Sequence, residues 1–148
     1  MEIIEADASD TALLDWDARV SGRPRPQDLE FWVREEKAVP LWFRMRGQIV
    51  GYGYMRFGAE AHSNSYACKI GPMGTDTPED AIACVLAAIH WATQRSAEIH
   101  IDVPGPHPCL TTLLERGFHI KSFATFVCSV SSLFLDARCY IAGGGDMF

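Results

Sequence analysis

The segment Thr77-Pro78-Glu79-Asp80, followed at helical spacing by Ile82, Val85, Leu86, Ile89 and Thr93, constrains the fold more than any other part of the chain. Thr77 offers a capping oxygen, Pro78 suits a first helical position, and two acids complement the positive end of a helix. A second stripe of small residues, Ala81, Ala88 and Ala92, allows close approach to a sheet. A helix of this kind must bury its apolar side against another layer, so the question becomes which strands supply it.

The strands are legible on both sides of that helix. Leu41 to Met45 and Ile49 to Phe57 read as a hairpin around Arg46-Gly47, where glycine can take positive φ. In the second strand Gly51 and Gly53 share one face and Tyr52 and Tyr54 the other. The glycines fit either close backbone packing or room for a ligand. Tyr66 to Ile70 reads as a further strand running into Gly71-Pro72-Met73-Gly74. In Ala97 to Val103, Ile99, Ile101 and Val103 alternate with Glu98, His100 and Asp102.

The remaining elements are shorter. Ile3 and Ile4 suggest a first strand, and the Asp7-Ala8-Ser9-Asp10 cluster offers capping oxygens to a helix carrying Leu13, Leu14, Trp16 and Val20. The stretch from Ser21 to Pro26 breaks that helix, and a second runs from Gln27 to Glu36. His107 to Arg116 reads as a short helix closed by Gly117. Phe118 to Val130 then reads as a long or bent strand, and Cys139 to Ala142 closes the fold before a Gly-rich tail. This order predicts one α/β (α+β) domain over residues 1–148, with a mixed, mostly antiparallel sheet flanked by about four helices.

Composition excludes several classes. The 148 residues, 48% hydrophobic with eight Phe, four Trp and four Tyr, can bury a sizeable core, which argues against disorder. The longest near-continuous apolar run, Ala81 to Ala92, contains His90 and is well short of the roughly 20 residues that span a bilayer. Thirteen basic against nineteen acidic residues argue against a nucleic-acid partner, since phosphate binding draws on a surplus of Lys and Arg. Met1 to Asp10 is acidic and lacks a long apolar stretch, so no secretory signal is expected, and a cytoplasmic location is.

Five cysteines, Cys68, Cys84, Cys109, Cys128 and Cys139, are odd in number, form no C-x-x-C and mostly sit among apolar neighbours. Buried free thiols are the expectation. His107, Cys109, His100 and Asp102 carry ligand atoms, but no second clustered pair completes a four-ligand zinc site, so no metal is expected. G-x-S-x-G, HExxH and the phosphate-binding G-x-x-x-x-G-K are all missing.

Four stretches in this order resemble the GNAT superfamily of N-acetyltransferases over almost the whole chain. They are Ile49-Val50-Gly51-Tyr52, the strand end Ile70-Gly71-Pro72 before the long helix, Ile99-His100-Ile101-Asp102-Val103, and Leu113-Leu114-Glu115-Arg116-Gly117-Phe118. Asp17-Ala18-Arg19-Val20-Ser21-Gly22 with Arg25, Asp102-Val103-Pro104 and Ile141-Ala142-Gly143 are similar to the second, C-terminal domain of two-domain members. The resemblance implies transfer of an acetyl or acyl group from acetyl-CoA to a small-molecule or peptide amine. It places the cofactor beside Cys68, Lys69, Ile70, Gly71, Met73, Gly74, Thr75 and Thr77. It gives Tyr52, Tyr54, His100 and Asp102 to the acceptor pocket.

The chain departs from the family pattern at two places. Family members hold the cofactor pyrophosphate on a loop of pattern Arg or Gln, two residues, Gly, one residue, Gly or Ala, at a helix N-terminus. Here those three positions fall on Thr75, Pro78 and Asp80. Pro78 lacks an N–H, and Asp80 and Glu79 bring negative charge, at about 1 kcal/mol or more per close like-charge pair near a surface. No Lys or Arg occurs between Lys69 and Arg95 to offset it in sequence. The Tyr that often serves the family as general acid is replaced by Leu113. For a general base, the candidates are His100 and Asp102, which as readily face solvent. No catalytic residue is assigned. Two functions follow: an N-acyltransferase, or a non-catalytic GNAT-like module for ligand sensing or dimerisation with a second copy as partner.

Overall fold

A computed structural model describes residues 1–59, 66–125 and 135–144. Strand β1 (Glu2–Glu5) is followed by helices α1 (Thr11–Ser21) and α2 (Pro26–Arg34). Strands β2 (Val39–Met45), β3 (Gln48–Ala59) and β4 (Tyr66–Thr75) lead to the long helix α3 (Pro78–Thr93). Strand β5 (Glu98–Ile101), helix α4 (Cys109–Glu115) and the short strand β6 (Tyr140–Ile141) complete the described elements. The result is a mixed α/β fold with a mostly antiparallel six-stranded sheet and, among the described residues, four helices.

Local chemistry explains most of the boundaries. Asp10 caps α1 by accepting from the Ala12 amide at 3.0 Å, and Gly22 ends it in the left-handed conformation (φ 77°). Pro26 keeps Arg25 out of the helical region and sits at the start of α2. The hairpin joins Met45 to Gln48 through Arg46 and Gly47, both at positive φ, which matches a tight two-residue turn. At α3, Pro78 takes the first position, but Thr77 does not cap: its hydroxyl donates to the Asp80 carboxylate at 2.9 Å.

The strands run in the order β1-β2-β3-β4-β5, antiparallel except for the parallel pair β4 and β5. One face packs on α3 and α4 through Leu41, Phe43, Met55, Ile70, Met73, Val85, Leu113 and Ile141. The other packs on α1 and α2 through Leu13, Leu29, Trp32, Trp42, Tyr52 and Tyr54. Each fully buried Leu, Phe or Met contributes about 1.5–3 kcal/mol relative to exposure. Cys68, Cys84, Cys109 and Cys139 are free and buried, as expected; Cys128 lies outside the described residues. No described helix is long and apolar enough to cross a membrane.

Two readings of the sequence change, and one left open is decided. Strand β4 runs five residues beyond Ile70, to Thr75, because β3 continues to pair with it and β6 joins its other edge at Met73 and Gly74. The strand expected from Phe118 is not formed over residues 118–125, where Ile120 and Phe123 are 50% and 88% exposed and no ladder partner is present among the described residues; residues 126–130 lie outside the described set. Of the two uses left open for Gly51 and Gly53, close packing is the one seen: a Cβ on Gly51 would meet the Gly74 carbonyl oxygen at 2.8 Å, and one on Gly53 would meet Met55, Phe43 and Met73.

Candidate functional site

Strand β4 has two different neighbours along one edge. Ala67 to Ile70 pair in parallel with Glu98 to Ile101 of β5. Beyond Ile70 that pairing ends, and β6 takes its place antiparallel, with Met73 opposite Ile141 and Gly74 opposite Tyr140. The Thr75 amide donates to the Cys139 carbonyl at 3.0 Å, and the Thr75 hydroxyl reaches the Thr77 carbonyl at 2.9 Å. The gap that opens where two parallel strands part is thus lined by β4 and filled by residues 139–143 of the same chain.

The fit is close. A Cβ on Gly71 would lie 2.6 Å from the Ala142 carbonyl oxygen, and one on Gly74 would lie 2.8 Å from both Tyr52 and Val20. Gly143 packs on the Trp32 ring and Pro72, where a Cβ would lie 2.8 Å and 3.2 Å away. Of the residues expected beside a cofactor, Cys68, Ile70 and Met73 point into the core, and burial pushes the Cys68 thiol up to about 11. Lys69 is half-buried and ion-pairs with Asp102 at 2.9 Å. Thr77 is turned to Asp80.

The residues expected around an acceptor separate into two environments. Tyr52 and Tyr54 are buried on the α1–α2 face, and Tyr52 donates its hydroxyl to Asp17 at 2.5 Å. Burial, and then the Asp17 charge, raise both tyrosines well above the usual phenol range. His100 lies in β5 and Asp102 just beyond its end: His100 bonds Glu98 at 2.6 Å, and Arg56, Lys69 and His100 stand in one cross-strand row.

The strongest polar constellation joins Asp17 and Arg25, which the sequence offered only through the family resemblance, to Tyr140, which it did not. Asp17 is fully buried, and its carboxylate receives Arg25 Nε at 2.8 Å, Arg25 Nη2 at 2.7 Å and the Tyr52 hydroxyl. Arg25 also donates to the Tyr140 hydroxyl, tying α1 and α2 to β6. Burial alone would lower the Arg25 pKa; the Asp17 hydrogen bonds and nearby negative charge more than reverse this and raise it. A second arginine, Arg56, joins Glu36 at 2.8 Å and donates to the Gly143 carbonyl. Both guanidinium groups lie over the Trp32 ring, at 5.2 and 5.5 Å from its centroid. A signal was available in the sequence: Asp17 falls on the inward stripe Leu13-Asp17-Ser21, where a buried charge demands a partner.

At the start of α3 a cleft of about 290 Å³ is bounded by Arg19, Thr75, Asp76, Pro78, Asp136 and Cys139. Folding brings two cations here that the local sequence lacks, but each is already engaged. Arg19 pairs with Asp76 at 2.7 Å, and Arg138 clasps Asp136 with its closest contact at 2.7 Å. The two acids of the cleft wall, Asp76 and Asp136, are thus each paired with an arginine, and Glu79 and Asp80 add two further carboxylates in the first turn of α3. Leu113 is buried in the core and Cys109 beside it has its thiol pushed up to about 12 by burial.

This sheet, with its parallel β4–β5 pair followed by a long helix, is the fold of acetyltransferases. The family model described as an acetyltransferase (GNAT) domain matches residues 13–127, and the chain belongs to that family. Among solved structures it is similar to a transcriptional regulator from Bacillus halodurans C-125 (17% identity, TM-score 0.62, covering 86% of this chain and 98% of that one). It is similar also to the aminoglycoside 6'-N-acetyltransferase AAC(6')-Ih of Acinetobacter baumannii (14%, 0.56, 88% and 99%). A third is the ribosomal-protein-alanine N-acetyltransferase of Brucella melitensis biovar Abortus 2308 (19%, 0.57, 88% and 100%). At these identities the likeness is one of fold. No curated protein matches the chain.

Proposed function

We propose that this chain is a non-catalytic GNAT-type module, a ligand-sensing or dimerisation unit that does not take acetyl-CoA in the manner of its family. The observation that carries the reading is the occupancy of β4: residues 139–141 already use its main-chain groups from Met73 to Thr75. Two further features support it. The mouth of α3 offers a proline and an excess of carboxylates to a pyrophosphate, and the residue at the general-acid position is the buried Leu113. The residues present therefore do not fit the cofactor, and no transfer step is derived through it.

Thermal unfolding with acetyl-CoA and with CoA, each up to millimolar concentration, tests the reading. The midpoint is expected to stay put. A ligand present at a hundred times its dissociation constant would stabilise the fold by about 2.7 kcal/mol, roughly 5–11 °C for a domain of this size. A saturable shift of that order would overturn the proposal.

The second reading, acyl transfer from acetyl-CoA to an amine, draws on the family membership and on the arrival of Arg19 and Arg138 at the α3 mouth. On that reading His100 and Asp102 would face the acceptor, and direct attack by the amine would rest mainly on proximity. CoA release with a panel of small-molecule and peptide amines separates the two.

A further inference from the structure

We infer that Arg56 and Trp32 form a binding site for a small carboxylate, one prong of which the Gly143 carbonyl now holds. The inference rests on the ligand-sensing form of the proposed function and gives that form a ligand. It starts from two buried donors. Arg56 Nε and Trp32 Nε1 have no hydrogen-bond partner among the described residues, although the two residues are only 8% and 0% exposed. Buried N–H groups of this kind are rare, and each calls for an acceptor.

The two donors meet at Gly143. Arg56 Nη2 donates to the Gly143 carbonyl, and its guanidinium carbon lies 5.5 Å from the centroid of the Trp32 ring. Gly143 touches that ring on the side next to the indole nitrogen: a Cβ on it would lie 2.8 Å from Cζ2 and 3.2 Å from Cη2. Arg25 shows what a filled guanidinium fork looks like in this protein. Its Nε and Nη2 take the two oxygens of Asp17 at 2.8 and 2.7 Å. The same pair on Arg56 holds a single oxygen, on Nη2, and Nε is bare. A planar carboxylate fills such a pair with two parallel bonds, which one carbonyl cannot do.

Charge points the same way. Arg25 is matched by a fully buried acid that engages it twice. The acid on Arg56, Glu36, makes one bond of 2.8 Å through Nη1, and its side chain is 38% exposed. Across the ladder Lys69 adds a cation, itself held by Asp102 at 2.9 Å. The ligand carboxylate takes Nε and Nη2 beside the Trp32 N–H, Glu36 keeps Nη1, and the Gly143 carbonyl gives way.

Titration of the unaltered chain with acetate, followed by NMR of the Trp32 indole N–H and the Arg56 Nε–H, tests this. Both resonances are expected to move together and saturate, with half-saturation between about 0.1 and 10 mM, a range open to a ligand this small. Acetamide, the neutral analogue, and chloride at equal ionic strength are expected to leave them in place. N-acetylglycine separates the sources: tighter binding than acetate assigns a peptide end, weaker binding a free acid. Arg56→Lys keeps the charge but loses the fork, and is expected to weaken acetate at least tenfold. Glu36→Gln removes the competing acid, and is expected to tighten it at least threefold. Absence of saturation, or a response matched by acetamide or chloride, would overturn the inference, as would an Arg56→Lys chain that binds as tightly as the unaltered one. Should Arg56→Lys not fold, failure of Glu36→Gln to tighten binding overturns it instead. Acetyl-CoA binding is read in a separate titration and bears on the proposed function alone, so the two failures are distinct.

Discussion

Replacing Arg25 by Met tests whether the buried network is a structural tie. Methionine keeps much of the length and the apolar stem but deletes both hydrogen bonds to Asp17, at 2.8 and 2.7 Å, and the bond to Tyr140. Asp17 would keep the Tyr52 hydroxyl at 2.5 Å and a distant Ser21 hydroxyl at 3.5 Å, with its charge unmatched inside the protein. Removing one partner of a buried ion pair destabilises by about 3–5 kcal/mol, which for a chain of this size is a fall of roughly 6–20 °C in the midpoint. The sign of the pH dependence is fixed by the same argument. A lone buried carboxylate favours its protonated form, so the folded variant takes up a proton more readily than its unfolded chain, and its stability rises as pH falls from 7 toward 4.5. The deficit against the unaltered chain therefore narrows in acid. Urea unfolding followed by tryptophan fluorescence at pH 7 and pH 5 measures it. The companion Asp17→Asn/Arg25→Met, with no buried charge, is expected to recover part of the loss and to lack the pH term. A loss below about 1 kcal/mol for Arg25→Met, or a deficit constant between the two pH values, would refute the reasoning.

Two further outcomes follow from buried titratable groups. Burial pushes His107 down to about 4 despite the opposing pull of Asp136, so the folded chain resists protonation that the unfolded chain accepts near 6.5. Its contribution, at most about 3 kcal/mol, is complete above pH 6.5 and is lost as pH falls toward 4; His107→Gln should flatten that acid limb, and an NMR titration of His107 with a midpoint near 6.5 would contradict it. Burial also pushes the Cys68 thiol up to about 11 and those of Cys84 and Cys109 up to about 12. At pH 7.5 these three are expected to react with a thiol reagent only as the chain unfolds; rapid modification of any of them in the native protein, located by mass spectrometry, would contradict their placement.

Local chemistry made much of the fold legible. The Asp10 cap, the Arg46-Gly47 turn, the proline at the head of α3 and the alternation of Ile99 and Ile101 each act within a few residues, and each appears where the pattern puts it. What escaped depends on partners far away in the chain. Nothing near Met73 announces that Ile141 will pair with it, so β4 read five residues short. Phe118 to Phe123 alternates plausibly, but a strand needs a ladder, and residues 118–125 form none. The site divided along the same line. The departures proposed at Pro78, Asp80 and Leu113 could be read because each concerns a donor, a charge or an acid at a single position. The Asp17–Arg25–Tyr140 tie was not, because it joins residues up to 115 positions apart; the resemblance named Asp17 with Arg25, and the acid on the inward stripe of α1 hinted at burial, but nothing linked either to Tyr140.

That separation has a consequence for how the protein is made. A ribosome adds roughly 5–20 residues per second, so Tyr140 emerges roughly 6–23 seconds after Arg25. Throughout that interval the Asp17–Arg25 pair waits for its phenol, and from the emergence of Thr75 onward the outer edge of β4 waits for its partner strand as well. Birth order alone thus leaves an interval, early in the life of each molecule, before residues 139–143 can close that edge.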